Sequence, residues 1–260
     1  MTLTSVDLEQ ALRSLGLVAG DSLIVHSSFR SLRSFDGDPQ DVLDTILRVI
    51  GLRGNLMLPT FNYSRPLPEP HFDPARTPCR TGVIPELGRQ RADAVRSLHP
   101  THSVAVIGPD AATLTERHLD GRTFGIGSPI DRLAQRGGKV FLLGVDHTTN
   151  STIHVAEEHA GVPKVNRPDR PPSAKVLMPD GRVIEHPLDS SPSCSLGFQR
   201  IAPFVQAARV TLGDCLLQMM DGGQLIATVV QQLAADPTAL LCDNPACSSC
   251  RGVERSIAGR

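Results

Sequence analysis

The sequence predicts an α/β protein with a single domain, and three observations support this class. From the N-terminus to Gly161, short apolar runs rich in β-branched residues alternate with runs that have helical spacing. After Gly161 the pattern changes to pairs of short apolar runs around turn residues, which predicts β-hairpins in the C-terminal third. A chain of 260 residues can bury one large core. We therefore expect one domain over 1–236, followed by a peripheral cysteine-containing tail over 237–260.

The composition excludes several classes of function. The chain has 26 Lys and Arg against 27 Asp and Glu, so neither nucleic acid nor an anionic membrane is an expected partner. No apolar run reaches the length of a membrane span, and the first residues lack the basic start and apolar core of a signal peptide. Six cysteines without a secretory context favour reduced thiols. We expect a cytoplasmic protein that acts on a small molecule.

Each predicted strand is a short apolar run next to turn residues. The first four runs are rich in Val, Ile, Leu and Phe, which is typical of buried strands. A later pair flanks Asp180-Gly181, a sequence that favours a tight hairpin turn. A further pair is interpreted as a hairpin that turns at Asp221-Gly222-Gly223. The predicted strands cover 22–25, 55–58, 104–107, 139–143, two short runs within 175–186, 210–220 and 225–230.

Helix starts are predicted from capping residues. Asp38 followed by Pro39, and Ser128 followed by Pro129, are strong starts, because the side-chain oxygen accepts a backbone N–H and proline fits the first helical position. Ser5 is the predicted cap of the first helix. The remaining predicted helices cover 84–92, 111–118, 130–135 and 198–208, with a last helix after residue 230.

The stretch 144–161 holds the main candidate for catalysis. It follows the predicted strand 139–143, and either Asn150 or Ser151 can cap a helix that runs to Ala160. Ligands of α/β proteins bind at the C-terminal edge of the sheet, which is where this helix would begin.

A histidine and two carboxylates lie one turn apart on that helix. Glu157 is three residues after His154 and Glu158 is four, so an imidazole and a carboxylate share one face. Such a pair suits a general base. A solvated ion pair is the alternative interpretation of the same spacing.

Polar residues after strands and before helices are candidate ligand contacts. His26-Ser27-Ser28 follows the first strand and Thr60 the second, where hydroxyls and free backbone N–H groups point into the crevice of an α/β sheet. Gly127 precedes the predicted cap Ser128, so a ligand could approach exposed N–H groups there. Ordinary polar turns remain the alternative. The proline-rich segment 66–85 is expected to be a loop that forms a wall of the substrate site.

The tail contains three cysteines with the spacing of a partial zinc site. Cys247 and Cys250 form the Cys-x-x-Cys pair, and Cys242 precedes them. A structural site needs four ligands, and the tail offers three cysteines and no histidine. Zinc binding at these residues is therefore left open by the sequence, and such a site would be structural.

The order of the motifs is more specific than any one motif. Together they resemble the aminoglycoside 3-N-acetyltransferase family, also called the antibiotic N-acetyltransferase family, over about Val6 to Val230. The most specific parts are His26-Ser27-Ser28 and the Asn-x-x-x-His-x-x-Glu pattern of 150–157. The other motifs, in chain order, are Leu58-Pro59-Thr60, Arg80-Thr81-Gly82 with Pro85-Glu86, Arg96 to Pro100 with Ser103, Gly127-Ser128-Pro129, Leu143-Gly144-Val145 and Val210 to Gly213.

The resemblance implies a fold, a reaction and a set of site residues. The fold would be a mixed central sheet flanked by helices, distinct from the common N-acetyltransferase superfamily. The reaction would be acetyl transfer from acetyl-CoA to a primary amine, the 3-amino group of an aminoglycoside, without a metal. His154 matches the catalytic histidine and Glu157 its carboxylate. The residues expected near acetyl-CoA are His26, Ser27, Ser28, Thr60, Ser103, Gly127, Ser128 and Asn150. The implied partners are the amine and acetyl-CoA, and a homodimer is left open.

The substrate is less well defined than the reaction. A polycationic aminoglycoside requires carboxylates in its site, yet 189–208 contains only Asp189 as an acid. An amine that carries an anionic group, such as a biosynthetic intermediate, is the alternative acceptor, so a role in resistance or in biosynthesis is left open. The residues expected to wall the acceptor site are Glu69, Asp73, Asp146, Glu157 and Asp189, with Arg65, Arg76 and Arg80.

Two functions of other classes fit parts of the same stretch. A metal-dependent hydrolase would use Asp146, His147, His154 and Glu158, since a histidine and a carboxylate four residues apart can chelate one ion. A catalytically inactive CoA-binding or amine-sensing protein would keep the binding residues alone. Metal analysis separates the first from an acetyltransferase, and release of free CoA thiol separates the second.

Overall fold

A computed structural model describes residues 2–62, 71–121, 123–165, 171–189 and 193–259. Its helices and strands follow the alternation that the sequence predicts. The strands are β1 (Ser22–Ser27), β2 (Asn55–Pro59), β3 (Ala94–Arg96), β4 (Val104–Ile107), β5 (Lys139–Leu143), β6 (Ser173–Leu177), β7 (Val183–Pro187), β8 (Ala208–Leu212) and β9 (Cys215–Asp221). The helices are α1 (Ser5–Ser14), α2 (Pro39–Ile50), α3 (Val83–Arg89), α4 (Ala111–Thr115), α5 (Pro129–Gln135), α6 (Thr152–His159), α7 (Gly222–Ala235) and α8 (Ser248–Ala258).

The central sheet is mixed, as the family resemblance implies. In the described residues it has seven strands in the order β3-β4-β2-β1-β5-β9-β8. The inner strand β1 pairs in parallel with β2 and β5, and the outer pairs are antiparallel. Strands β6 and β7 form a separate hairpin around Asp180-Gly181, as predicted. The fold class is therefore confirmed.

Alternate residues of the inner strands face two different hydrophobic cores. Leu23 and Val25 of β1 pack in the core that contains α1 and α2, whereas Ile24 packs in the core that contains α6 and α7. Successive side chains of a strand point to opposite faces, so a strand buried on both faces must be apolar at every position. This requirement explains the continuous apolar runs in the sequence. No helix among the described residues is long and apolar enough to cross a membrane.

The predicted helix starts are confirmed at two positions and corrected at one. Asp38 accepts hydrogen bonds from the N–H groups of Gln40 and Asp41, and Ser128 caps α5. The first helix is capped by Thr4 and not by Ser5, because the Thr4 hydroxyl and the Asp7 carboxylate satisfy each other's backbone N–H groups.

The C-terminal hairpin differs from the prediction in its turn and its second strand. The turn lies at Gly213, which has a positive φ of 61°, and β9 then runs to Asp221 beside β5. Asp221 is the N-cap of α7, since its side chain accepts a hydrogen bond from Gln224 N. The segment 225–230 is therefore helical, although its β-branched residues indicated a strand. The short strand β3 was not predicted from the sequence.

Two further segments differ from the predictions. The helix predicted over 198–208 is a 3₁₀ helix over Ser195–Ile201, and β8 begins at Ala208. The tail that was expected to be peripheral forms α8, and Leu240 and Val253 are buried in the core beside α6 and α7. Its buried residues are spaced too irregularly before α8 to give a periodic pattern.

Candidate active site

The predicted catalytic and binding segments meet at one edge of the sheet. Strands β1 and β5 are parallel neighbours, with Ser27 paired to Leu143, so their carboxyl ends lie together. The chain after β5 passes through a 3₁₀ turn over His147–Thr149 and enters α6. This connection carries Asn150 and Ser151 to the end of β1, which is the usual position of a ligand crevice in an α/β sheet.

A cavity of about 540 Å³ opens at this edge. This volume is within the range of small-molecule sites. Its walls come from the end of β1, the loop before α3, the start of α6 and the segment around Ser193. The lining residues are Val25, His26, Ser27, Pro59, Phe61, Arg80, Thr81, Gly82, Pro85, His102, Phe124, Thr148, Thr149, Asn150, Ser151, His154, Ser193, Cys194 and Ser195.

His154 lines the cavity and forms a hydrogen-bonded pair with Glu157, which does not line it. The His154 Nδ1 and Glu157 Oε2 atoms are 2.7 Å apart, and the Glu157 side chain is 1% exposed. The hydroxyl of Ser193 donates a hydrogen bond to the other oxygen, Glu157 Oε1. Glu158, the other carboxylate at helical spacing, forms a salt bridge with Lys164. Glu157 is therefore the carboxylate that orients His154.

Two aromatic rings fix the plane of the His154 imidazole. Phe124 stacks on it with ring centroids 5.0 Å apart, and Phe198 packs edge-on at 4.7 Å. Both phenylalanines are buried. With Nδ1 directed to Glu157, the ring nitrogen left for a ligand in the cavity is Nε2.

His26 brings a second, uncharged imidazole to the cavity. It is 6% exposed, and its Nε2 is a buried atom without a hydrogen-bond partner among the described residues. Burial, with a further effect of His147, lowers the pKa of His26 to about 3, so the ring is neutral near pH 7. A buried polar atom without a partner in a cavity wall is an available contact for a ligand or a water molecule.

Asn150 and Ser27 also line the cavity, as expected for the predicted binding residues. Asn150 is fully buried, its Oδ1 accepts from Thr152 N at 3.2 Å, and its Nδ2 lies 3.3 Å from His147 Nδ1. These contacts tie the turn before α6 to the start of the helix.

Five of the predicted binding residues do not line this cavity. Thr60 and Ser103 form a buried network in which their hydroxyls are 3.1 Å apart and both contact Arg96 Nε. Ser28 lies at the start of a 3₁₀ turn, and its N–H donates to Leu143 O. These three residues therefore stabilise the ends of the strands and do not face the cavity.

The other two predicted binding residues, Gly127 and Ser128, lie at the start of α5. Both form hydrogen bonds with a residue of α5 itself. Gly127 N donates to Asp131 Oδ2 at 2.7 Å, and the Ser128 hydroxyl accepts from Asp131 N at 3.4 Å. Two backbone N–H groups at this terminus are thus already hydrogen-bonded to side chains of α5 and its cap.

The charges around the cavity differ from those expected for an acceptor site rich in carboxylates. Arg80 lines the cavity, and no carboxylate occurs among its described lining residues. Asp189 forms a salt bridge with Lys164, and Asp146 caps the 3₁₀ turn. Asp73 forms hydrogen bonds within its own loop and pairs with Arg76, and the predicted wall residues Arg65 and Glu69 lie outside the described residues.

The four residues of the hydrolase alternative do not come together. His154 is held by Glu157, Glu158 by Lys164, and Asp146 by the backbone of its own turn. Within the part of the chain that the structure describes, these side chains form no group with metal-ligand spacing.

Sequence reasoning missed three residues of the site. Ser193, Phe124 and Phe198 contact the His154 and Glu157 pair but lie far from α6 in the sequence. The Ser-rich segment around Ser193 has no periodic pattern, so only the fold shows that its hydroxyl reaches Glu157.

Comparison with known proteins identifies one family. Residues 24–234 match the model of a family described as aminoglycoside 3-N-acetyltransferase. Aminoglycoside N(3)-acetyltransferase IV of Salmonella sp is 28% identical over 236 residues, which cover 88% of this chain and 87% of that protein. Aminoglycoside N(3)-acetyltransferase III of Serratia marcescens is 34% identical over 193 residues, 66% of this chain and 70% of that protein.

Solved structures give the same result for the fold. The crystal structure of aminoglycoside acetyltransferase AAC(3)-IVa, as a histidine-to-alanine variant in complex with a gentamicin, matches with a TM-score of 0.85 and 28% identity over 98% of both chains. The structure of AAC-IIIb as a binary complex with CoASH matches with a TM-score of 0.77 over 94% of this chain and 100% of that one. The latter identity is 24%, so this likeness concerns the fold alone.

Proposed function

The chain belongs to the aminoglycoside 3-N-acetyltransferase family, and from this premise we propose that it transfers the acetyl group of acetyl-CoA to the 3-amino group of an aminoglycoside. The observation that carries the proposal is the pair formed by His154, which lines the cavity, and Glu157, 2.7 Å from it. A solved relative in complex with a gentamicin is a histidine-to-alanine variant. This variant supports a functional role for a histidine in the proposed reaction.

The geometry supports a direct transfer with His154 as general base. The amine nitrogen forms a bond to the carbonyl carbon of the thioester, and the carbon–sulfur bond breaks. His154 Nε2 takes the proton that the amine loses, and this proton then goes to the leaving CoA thiolate. Glu157 accepts the hydrogen bond from Nδ1 and stabilises the imidazolium that forms.

The donor side of the cavity suits the neutral and anionic parts of acetyl-CoA. His26 Nε2 and the Ser27 hydroxyl can form hydrogen bonds with amide or carbonyl groups, since His26 is uncharged near pH 7. Arg80 is exposed at the cavity and can pair with a phosphate. A relative of the same fold is known as a binary complex with CoASH.

A second acceptor class is favoured by a specific observation. The described residues that line the cavity include no carboxylate, which suits an amine that carries an anionic group better than a polycation. An aminoglycoside would need carboxylates to replace the hydration of its ammonium groups. We keep an anionic amine as the second candidate acceptor.

The test is release of CoA thiol with a panel of aminoglycosides and anionic amines at two salt concentrations. We expect turnover with an aminoglycoside. A KM that rises with salt would show that carboxylates hold the polycation, because screening weakens such contacts. Activity with an anionic amine and with no aminoglycoside would overturn the proposed substrate. Absence of thiol release with every amine would overturn the proposed activity.

A further inference from the structure

Four cysteines converge directly behind the wall of the cavity. Cys194 joins the three tail cysteines Cys242, Cys247 and Cys250, and the four sulfur atoms all lie within 4.8 Å of one another. The sequence supplied three of these ligands, and the fold brings the fourth from the segment that lines the cavity. The missing ligand of the partial site in the tail is therefore Cys194.

The geometry fits a closed tetrahedral thiolate site. Zinc–sulfur bonds of about 2.3 Å place the sulfur atoms of such a site about 3.8 Å apart. The Cys194 and Cys250 sulfurs are 3.5 Å apart, so a shift of less than about 1 Å per sulfur brings the set to this spacing. Cys242 and Cys250 are 5% and 0% exposed, as expected for a site with no open position.

Backbone N–H groups point at three of the sulfurs. Cys242 N donates to Cys250 Sγ at 3.5 Å, and the N–H groups of Leu196 and Cys250 contact the sulfurs of Cys194 and Cys247. Hydrogen bonds of this kind stabilise the thiolates that bind a metal.

Two arginines lie beside the cluster. Arg200 donates to Leu241 O at 2.5 Å, and Arg251 donates to Cys242 O at 2.7 Å. Each guanidinium also pairs with a carboxylate, Arg200 with Asp243 and Arg251 with Glu254. The two arginines therefore fix the backbone at Leu241 and Cys242, next to the Cys242 sulfur.

We propose that Cys194, Cys242, Cys247 and Cys250 bind one structural Zn²⁺. Tetrahedral sites of four thiolates select zinc or iron, and zinc needs no redox partner. The ion joins the segment around Cys194 to the tail and α8. Because Ser193 donates to Glu157, the same ion also holds the position of the residue that supports the catalytic pair.

The test is the zinc content of the full chain, purified without a metal-affinity resin and measured by mass spectrometry of the elements. We expect about one Zn per chain in the wild type and a drop of about fivefold or more in Cys247→Ser. Cys79→Ser is the matched control, since Cys79 lies outside the cluster, and it should keep the zinc.

A second measurement covers the case in which Cys247→Ser does not fold. Wild-type protein grown with cobalt should show the sulfur-to-cobalt and tetrahedral d–d absorption bands of a Co²⁺–thiolate centre. A wild-type chain without bound metal would overturn the proposal, whether its thiols are free or paired in disulfides. Iron in place of zinc would overturn the assignment of the ion.

Discussion

Phe124 contacts two groups of histidines, and these groups differ in their hydrogen-bond partners. His154 stacks on Phe124 and has a carboxylate 2.7 Å away. His102 also packs on Phe124 and on His99, which in turn packs on His118. The ring nitrogens of His99 and His118 contact hydroxyl, backbone N–H and carbonyl groups. Burial lowers the pKa of His118 to about 4 and that of His99 well below its ordinary value. His154 is thus paired with a carboxylate, whereas burial keeps His99 and His118 uncharged near pH 7.

The largest expected effect follows from His154→Ala. Turnover at saturating acetyl-CoA and amine should fall about a hundredfold or more, because this substitution removes the imidazole that Glu157 holds in the cavity wall. The affinity for acetyl-CoA, measured by calorimetry, should stay near that of the wild type. Glu158→Gln is the control on the same helix, since Glu158 pairs with Lys164, and it should keep its turnover. Wild-type turnover in His154→Ala would show that the base lies elsewhere.

Glu157→Gln should have the next largest effect. The amide can still accept the hydrogen bond from His154 Nδ1, but it carries no charge to stabilise the imidazolium. We expect turnover to fall between about tenfold and a hundredfold with little change in KM. A loss confined to KM would indicate that Glu157 binds the substrate.

Ser193→Ala should reduce turnover by less, about threefold to tenfold. The substitution removes the hydroxyl that donates to Glu157 Oε1, so the carboxylate is less firmly oriented while its charge remains. Steady-state kinetics at saturating substrates measures this effect. A loss larger than that of Glu157→Gln would mean that Ser193 contacts the substrate directly.

His118→Gln tests the other environment and should change stability more than turnover. The pKa of His118 is about 4 in the folded state, below its ordinary value of 6.5, so the unfolded chain binds the proton first as pH falls. The free energy of unfolding should therefore decrease between pH 6.5 and pH 4, by up to about 1.4 kcal/mol per pH unit for each such histidine.

The measurement is urea unfolding at pH 7 and pH 5 for the wild type and His118→Gln. We expect the variant to be less stable at pH 7 and to show a smaller difference between the two pH values. An equal difference in both proteins would contradict the assignment of this pH dependence to His118.

The sequence predicted the parts of the site that depend on local spacing. His154 and Glu157 share a helix face, and His26 and Ser27 follow a strand, so periodicity was enough to locate them. Ser193, Phe124 and Phe198 come from distant segments, and no local pattern relates them to α6. The same reason explains why the sequence indicated only three of the four clustered cysteines. Three lie in the tail, and only the fold brings Cys194 to them.

The fold class was predictable because the inner strands are buried on both faces. One error lies where the same residues are typical of two structures. Asp221 with two glycines is typical of a hairpin turn and also of a helix N-cap, and the structure uses it as the cap. Ser128 is a cap in both the prediction and the structure, and Asp131 completes this helix start. The contact of Gly127 and Ser128 with acetyl-CoA stays a prediction.

His154 and Glu157 are expected to act as one catalytic unit, and a double-mutant cycle tests this most directly. Turnover is measured for the wild type, His154→Ala, Glu157→Gln and the double variant with the same amine and acetyl-CoA. If Glu157 acts only through the imidazole, the double variant should be no slower than His154→Ala. If Glu157→Gln lowers turnover by the same factor in both backgrounds, the two residues act independently and the assignment of one unit is wrong.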